Sequence, residues 1–282
     1  MLNMALKLMY ITNNPKVAHL ADRYLVDRIF IDLEVNGKEK RQSKMDTVKS
    51  NHTLSDINIV KETLTHSELL VRVNPLFSGS QNEINEAIIR GADILMLPMW
   101  RTCEDVKRFH DFVKDRAKII LLLETCDAEK ELERVLELPE TSEIHIGLND
   151  LHLDYKLNFM FELLSNGTVE TIMNKIISKG KKGGFGGIAK LDSGLISGKN
   201  IMAEHYRLRS SMAILSRSFC NTSVIQDLDI IDEIFKTGIK EIRDYENFLE
   251  KQDGCFFQEN KISVCSTIFE IVNNLKNKRH VC

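Results

Sequence analysis

The chain has 282 residues, with 43% hydrophobic and 28% charged side chains and a net charge of −3 from 38 basic and 41 acidic residues. That composition is globular, and the charge balance gives no electrostatic reason to expect nucleic acid or an anionic membrane as a partner. The cysteines, Cys103, Cys126, Cys220, Cys255, Cys265 and Cys282, are scattered without a CxxC or metal-finger spacing. They read as reduced thiols of a cytoplasmic protein. The apolar N-terminus lacks a basic segment and a small-residue cleavage site, so it reads as a strand and not a signal peptide. No apolar run reaches the roughly 18 residues that suggest a membrane span.

The predicted elements alternate. ALKLMYIT is a strand and KVAHLADRYL a helix by apolar spacing. DRIFIDLE is a second strand ending in Asp32 and Glu34. A polar stretch follows, carrying Lys38, Lys40, Arg41 and Lys44. It reads as a solvated loop, with contact to a phosphate or CoA as the minority reading. LSDINIVKETLT is helical. ELLVRVNP is the third strand, stopped by Pro75 and carrying Arg72 and Asn74 near its end. QNEINEAIIRG is a helix ending at Gly91, a usual stop. ADILMLP, KIILLLET and EIHIGLND are the next three strands, with helices CEDVKRFHDFVKDR and DAEKELERVLEL between them. A helical region from Lys156 to Lys179 breaks at SNGT. KGKKGGFGGIAK reads as a turn into a short strand, FGGIA, and has neither P-loop nor GxGxxG order. KNIMAEHYRLRS is a helix and MAILSRSF the eighth strand, with Arg217 near its end. Two helices close the chain.

Eight strands each followed by a helix argue for a parallel sheet. In about this length they match a closed (β/α)8 TIM barrel, an α/β fold for which about 250 residues is typical. An open doubly wound sheet is the competitor. A single barrel domain is expected over residues 1–282, with residues 255–282 as a C-terminal helical extension suited to packing on a neighbouring subunit.

In such a barrel the active site lies at the C-terminal ends of the strands. Here those ends carry charge: Asp32 and Glu34, Arg72, Glu124, then Asn149 and Asp150. Glu124 and Asp150, the last residues of neighbouring apolar runs, can hold one hard divalent cation through oxygen. The matching chemistry is enolate stabilisation. The cation polarises the keto oxygen of a 2-keto acid, Arg72 adds an always-charged donor to it, and main-chain N–H groups at Gly147, Leu148 and Asn149 receive the substrate carboxylate. The structural alternatives are that Glu124 and Asp150 each cap a helix and that Arg72 is an ion-pair partner holding the rim. His145 lies inside a strand and reads as packed. No GxSxG element points to a serine hydrolase.

DRIFIDLE, VRVNP, GADILMLP, LLLET and GLND, in that order over roughly residues 20–155, resemble the signatures of the HpcH/HpaI aldolase and citrate lyase β-chain family. The resemblance implies a metal-dependent carbon–carbon lyase acting through a pyruvate or acetyl enolate. It implies Mg²⁺ or Mn²⁺ on Glu124 and Asp150, Arg72 at the keto oxygen, and Asp32 and Glu34 as the acidic end of the second strand. The citrate-lyase-like branch continues DLEDAV where this chain has DLEVNG. The hydroxy-keto-acid branch carries a histidine after the second-strand acid, where Val35 and Asn36 stand here. A metal-bound water or Glu34 is then the candidate base. The leading expectation is an aldolase-type lyase acting on a small 2-keto acid, as a homo-oligomer. The alternatives are a CoA-ester lyase of the citryl- or malyl-CoA type and a barrel that binds a small acid without turnover.

Overall fold

The computed structural model describes residues 5–35 and 51–279; the basic stretch Lys38 to Lys44, and Cys282, lie outside the described residues. The strands are β1 (Lys7–Ile11), β2 (Arg28–Asp32), β3 (Glu68–Arg72), β4 (Ile94–Leu97), β5 (Lys118–Leu123), β6 (Glu143–Ile146), β7 (Lys182–Ile188) and β8 (Met212–Leu215). They follow one another in chain order as a closed barrel, the (β/α)8 architecture that the alternation predicts. Helices along the chain are α1 (Pro15–Arg23), α2 (Leu54–Lys61), α3 (Ser80–Ile89), α4 (Cys103–Val113), α5 (Cys126–Leu136), α6 (Leu148–Asp154), α7 (Glu162–Ser165), α8 (Thr168–Ser178), α9 (Gly198–Arg207), α10 (Leu228–Leu249) and α11 (Gly254–Arg279). The chain gathers into two compact units, one of Lys7–His145 and the other of Leu6 with the residues from Ile146 on. Among the described residues no helix is long and apolar enough to cross a membrane.

In the first unit β1 to β5 pair in parallel, with Asp32 opposite Arg72 and Arg72 opposite Met96. Parallel strands covered on both faces need continuous apolar runs, and Ile29 to Ile31, Leu69 to Val71, Ile94 to Leu97 and Ile119 to Leu123 are all buried. The helices bury one stripe each. In α4 it is Cys103, Val106, Phe109 and Val113, at helical spacing. Local chemistry sets the helix starts. Asn14 accepts from the Lys16 and Val17 N–H groups with Pro15 in the first turn, and Thr102 with Asp105 forms a capping box.

Charge enters these strands only at their ends. The first residues of β2, β3, β5 and β6 form one network. Arg28, 1% exposed, lies 2.8 Å from Glu143 and 3.4 Å from Glu68, and Lys118 also pairs with Glu68. Burial opposes the charge on Glu68, but Lys118 and Arg28 outweigh it and hold the carboxyl below its ordinary range. The N-terminal ends of these four strands thus carry ion pairs, at the end of such barrels where residues usually serve stability. Asp22 ties α1 to the loop before β3. Its carboxylate accepts from the N–H groups of Thr65 (3.0 Å), His66 (2.8 Å) and Ser67 (2.6 Å).

In the second unit β7 begins at Lys182, so more of KGKKGGFGGIAK is strand than its glycines suggest. The glycines serve close packing. A Cβ on Gly184 would meet the Met212 carbonyl oxygen at 2.3 Å, beside a bulge between Gly184 and Gly187 in the β7–β8 pairing. The helical region after β6 is three helices, because Lys156 and Gly167 take left-handed backbone and interrupt it. The C-terminal helix α11 buries Val264, Ile268 and Val272. It is fastened within its unit by Lys261 to Glu170 (2.9 Å) and by Asn260 to Glu204 (2.9 Å).

Replacing Arg28 by alanine leaves Glu143 buried without its cation, and chemical denaturation should show a loss of about 3–5 kcal/mol. For Asp22, burial raises the carboxyl but three backbone donors outweigh it, so its folded pKa lies below the ordinary value. A lowered acid contributes stability that is full above the unfolded pKa, about 3.9, and is lost as pH falls through the folded value. Asp22→Asn should therefore lower stability by about 1–3 kcal/mol at neutral pH, and its unfolding curves should converge with the parent's as pH falls through the lowered folded pKa of Asp22.

Candidate active site

Within the first unit the C-terminal ends of β2, β3 and β5 carry four buried or nearly buried charges. Arg72 is the last residue of β3 and stands in register with Asp32, the last of β2. Neighbouring parallel strands bring their side chains to the same level, so the ion pair follows from the register. Arg72 Nε donates to Asp32 Oδ1 and a terminal nitrogen to Oδ2, both at 2.8 Å, a two-pronged pair. The Glu34 carboxylate lies 3.4 Å from the same guanidinium, which also sits 5.7 Å from the Phe30 ring centroid. Burial alone would make Arg72 give up its proton more readily. Asp32, Glu34 and Glu124 together outweigh burial and hold it above its ordinary value. Three carboxylates thus share the field of one guanidinium.

Neighbouring groups hold these acids. The Glu34 N–H donates to Asp32 Oδ1 (3.2 Å), and the Asp32 N–H to His52 Nδ1 (2.9 Å). Accepting at Nδ1 places the neutral imidazole proton on Nε2. The Val35 N–H donates to Asn74 Oδ1 (2.9 Å), and the Asn74 amide nitrogen donates to Glu83 in the first turn of α3 (2.6 Å). Glu124, 2% exposed, follows β5 directly and accepts the Met99 N–H at Oε1 (3.0 Å). It does not cap α5. Thr125 does, accepting from the Ala128 N–H (3.0 Å).

The apolar run EIHIGLND, which ends in the second unit, is not all strand. β6 ends at Ile146, Gly147 is the residue before α6, and Leu148, Asn149 and Asp150 form its first turn. A helix start changes what these residues present. Their main-chain N–H groups have no acceptor inside the helix, and Asp150 lies near a positive helix end. Leu148 is buried, and its Cδ1 would stand 2.7 Å from a Cβ on Gly186, so glycine there leaves room for this turn. Arg217, beyond β8, is exposed.

The structure brings Asp32, Glu34 and Arg72 together, with Glu124 in their field, and places Gly147 to Asp150 on a helix start. His52 and Met99 are the contacts that strand periodicity could not reveal. His52 is far from Asp32 in sequence, and Met99 acts through its backbone. Among the described residues no group of three or more His, Cys, Asp or Glu side chains is gathered to hold a metal ion. The candidate donors are carboxylate oxygens. Such a set fits Mg²⁺ or Mn²⁺, since Mg²⁺ commonly keeps several waters and takes one or two carboxylates.

The class of molecule is that of parallel barrels with charged C-terminal strand ends. The chain belongs to the HpcH/HpaI aldolase/citrate lyase family, whose model matches residues 7–205. Members of that family generally depend on a divalent metal. Solved structures share the fold at low identity. An HpcH/HpaI aldolase from Desulfitobacterium hafniense DCB-2 is 13% identical with a TM-score of 0.60, covering 81% of this chain and 93% of that one. A family protein from Burkholderia cenocepacia J2315 is 15% identical with a TM-score of 0.60, covering 81% and 95%. RipC from Yersinia pestis is 14% identical with a TM-score of 0.54, covering 82% and 94%. No curated protein matches the sequence.

Asp32→Ala should leave buried Arg72 without its two-pronged partner, with only Glu34 and Glu124 in its field, and calorimetry should record a destabilisation of about 3–5 kcal/mol. Asp32→Asn, which keeps the shape and one acceptor, should be milder than alanine.

Proposed function

We propose that the protein is a divalent-metal-dependent carbon–carbon lyase of the aldolase type that acts on a 2-keto acid through a pyruvate-like enolate. The observation that carries this reading is the buried Asp32–Arg72–Glu34 cluster, with Glu124 in its field, at the C-terminal strand ends of a barrel of this family. Fixed charge in a dry site is worth far more than in water, and there it can stabilise charge that develops during reaction.

In this proposal Glu124 and Asp150 hold Mg²⁺ or Mn²⁺, and the ion supplies Lewis-acid polarisation of the keto oxygen. Arg72 donates to that oxygen as it becomes negative, and Asp32 keeps the guanidinium plane oriented. The Gly147, Leu148 and Asn149 main chain takes the substrate carboxylate. In cleavage of a 4-hydroxy-2-keto acid, the hydroxyl proton leaves to Glu34 or a water. The electron pair of the C3–C4 bond passes to C3, and the aldehyde departs. The enolate then takes a proton at C3 and gives pyruvate. The partner is a small acid and not nucleic acid or membrane, in line with the net charge of −3, and a cytoplasmic homo-oligomer remains part of the proposal.

One observation favours a second reading. Both prongs of Arg72 are engaged by Asp32, which suits a barrel whose rim is held by ion pairs and which binds an acid without turnover.

The deciding measurement is proton–deuterium exchange at C3 of pyruvate, followed by NMR with Mg²⁺, with Mn²⁺ and with EDTA. Exchange should require metal, disappear in Glu124→Gln and fall about 10²–10³-fold in Arg72→Lys, the size expected for a lost transition-state donor. No exchange while metal and pyruvate both bind overturns the lyase reading in favour of the non-catalytic barrel. Exchange that requires a CoA ester moves it to the CoA-ester lyases.

A further inference from the structure

We infer that Met99 is a positioning residue for Glu124, through its backbone and not its side chain. The inference rests on the role proposed for Glu124. Met99 has φ +53, a left-handed conformation that is uncommon outside glycine, asparagine and aspartate. Such a conformation persists only where its surroundings over-determine it. The Met99 N–H meets Glu124 Oε1 at 3.0 Å, and the left-handed turn at Met99 redirects the chain that follows it. The next residue completes a bracket. The Trp100 carbonyl accepts the Thr125 hydroxyl at 3.1 Å, so the two residues that follow β5 are both tied to the two that follow Pro98. Trp100 and Thr125 are buried, at 2% and 0% exposure. On the outer side Arg101 reaches Asp127 at 2.9 Å.

The consequence concerns the carboxylate. An unheld glutamate samples several terminal torsions. One oxygen of Glu124 is fixed to a backbone donor that is itself fixed, so the group is presented in one orientation before any ligand arrives. Pre-organisation of this kind is what partners of ligating carboxylates supply. A methionine side chain is not required for it; a left-handed residue with an N–H is.

The test compares Met99→Gly, which takes the left-handed conformation without steric penalty, with Met99→Val, whose branched side chain resists it. Two readouts are followed on the full chain. Amide hydrogen exchange at position 99 should be slow in the parent and in Met99→Gly. It should be at least about 10-fold faster in Met99→Val and in Glu124→Ala. Mn²⁺ titration is read by quenching of Trp100, the only tryptophan in the chain. Met99→Gly should bind within about twofold of the parent, and Met99→Val at least about 10-fold more weakly, the range seen when a ligand's supporting partner is lost. Rescue by glycine separates backbone geometry from a general loss of folding. Exchange at position 99 that ignores Glu124→Ala, or equal Mn²⁺ affinity in Met99→Val and the parent, overturns the inference. So does equal loss in both Met99 variants. No quenching in the parent while the exchange pattern holds overturns the metal reading alone.

Discussion

The guanidinium of Arg72 and the carboxylate of Asp32 meet in register across β2 and β3, and the charged cluster at that edge is built around them. A charge taken out of water is tolerated only when it is paired and hydrogen-bonded. Asp32, Glu34 and Glu124 together outweigh burial and keep Arg72 charged, and the guanidinium in turn gives buried carboxylates a partner. Each group is a condition for the others. The same pairing engages both prongs of the arginine, so the role proposed for Arg72 requires it to share its donors with a ligand oxygen while Asp32 still orients it.

The opposite ends of the same strands follow the same constraint. Arg28, Glu68, Lys118 and Glu143 are first residues of their strands and form a network of ion pairs. Between the two ends β2 to β5 are apolar and buried, and β6 carries the buried His145. A strand middle surrounded by side chains offers a charge no partner, whereas a strand end meets loops, helix starts and neighbouring ends. Polar chemistry is confined to two layers, and only the C-terminal layer opens into loops that can vary.

Much of the fold was legible in the sequence, because parallel strands and covering helices leave different periodicities. All eight strands overlap the segments that predicted them, although β7 begins before FGGIA and β6 stops short of GLND. The misreadings have physical causes. GLND continues the hydrophobicity of EIHI, and composition cannot distinguish a strand end from the first buried turn of a helix, so Asp150 belongs to α6 and not to β6. The glycines of β7 look like a turn in one dimension and are close-packing sites against Met212 and Leu148 in three. The alternative that Glu124 caps a helix gives way to Thr125, one residue on, whose hydroxyl has the reach for it.

The sequence by itself determined the strand and helix order, the apolar strand middles and the charged residue types at their ends, since these follow from local periodicity and from the penalty of burying charge. Only the tertiary structure decided which charges pair. The Asp32–Arg72 match depends on strand register, His52 meets Asp32 from 20 residues along the chain, and the hold on Glu124 comes from the main-chain N–H of Met99 beyond β4. Register, loop closure and backbone direction are relations between distant segments, and no local pattern of side chains encodes them.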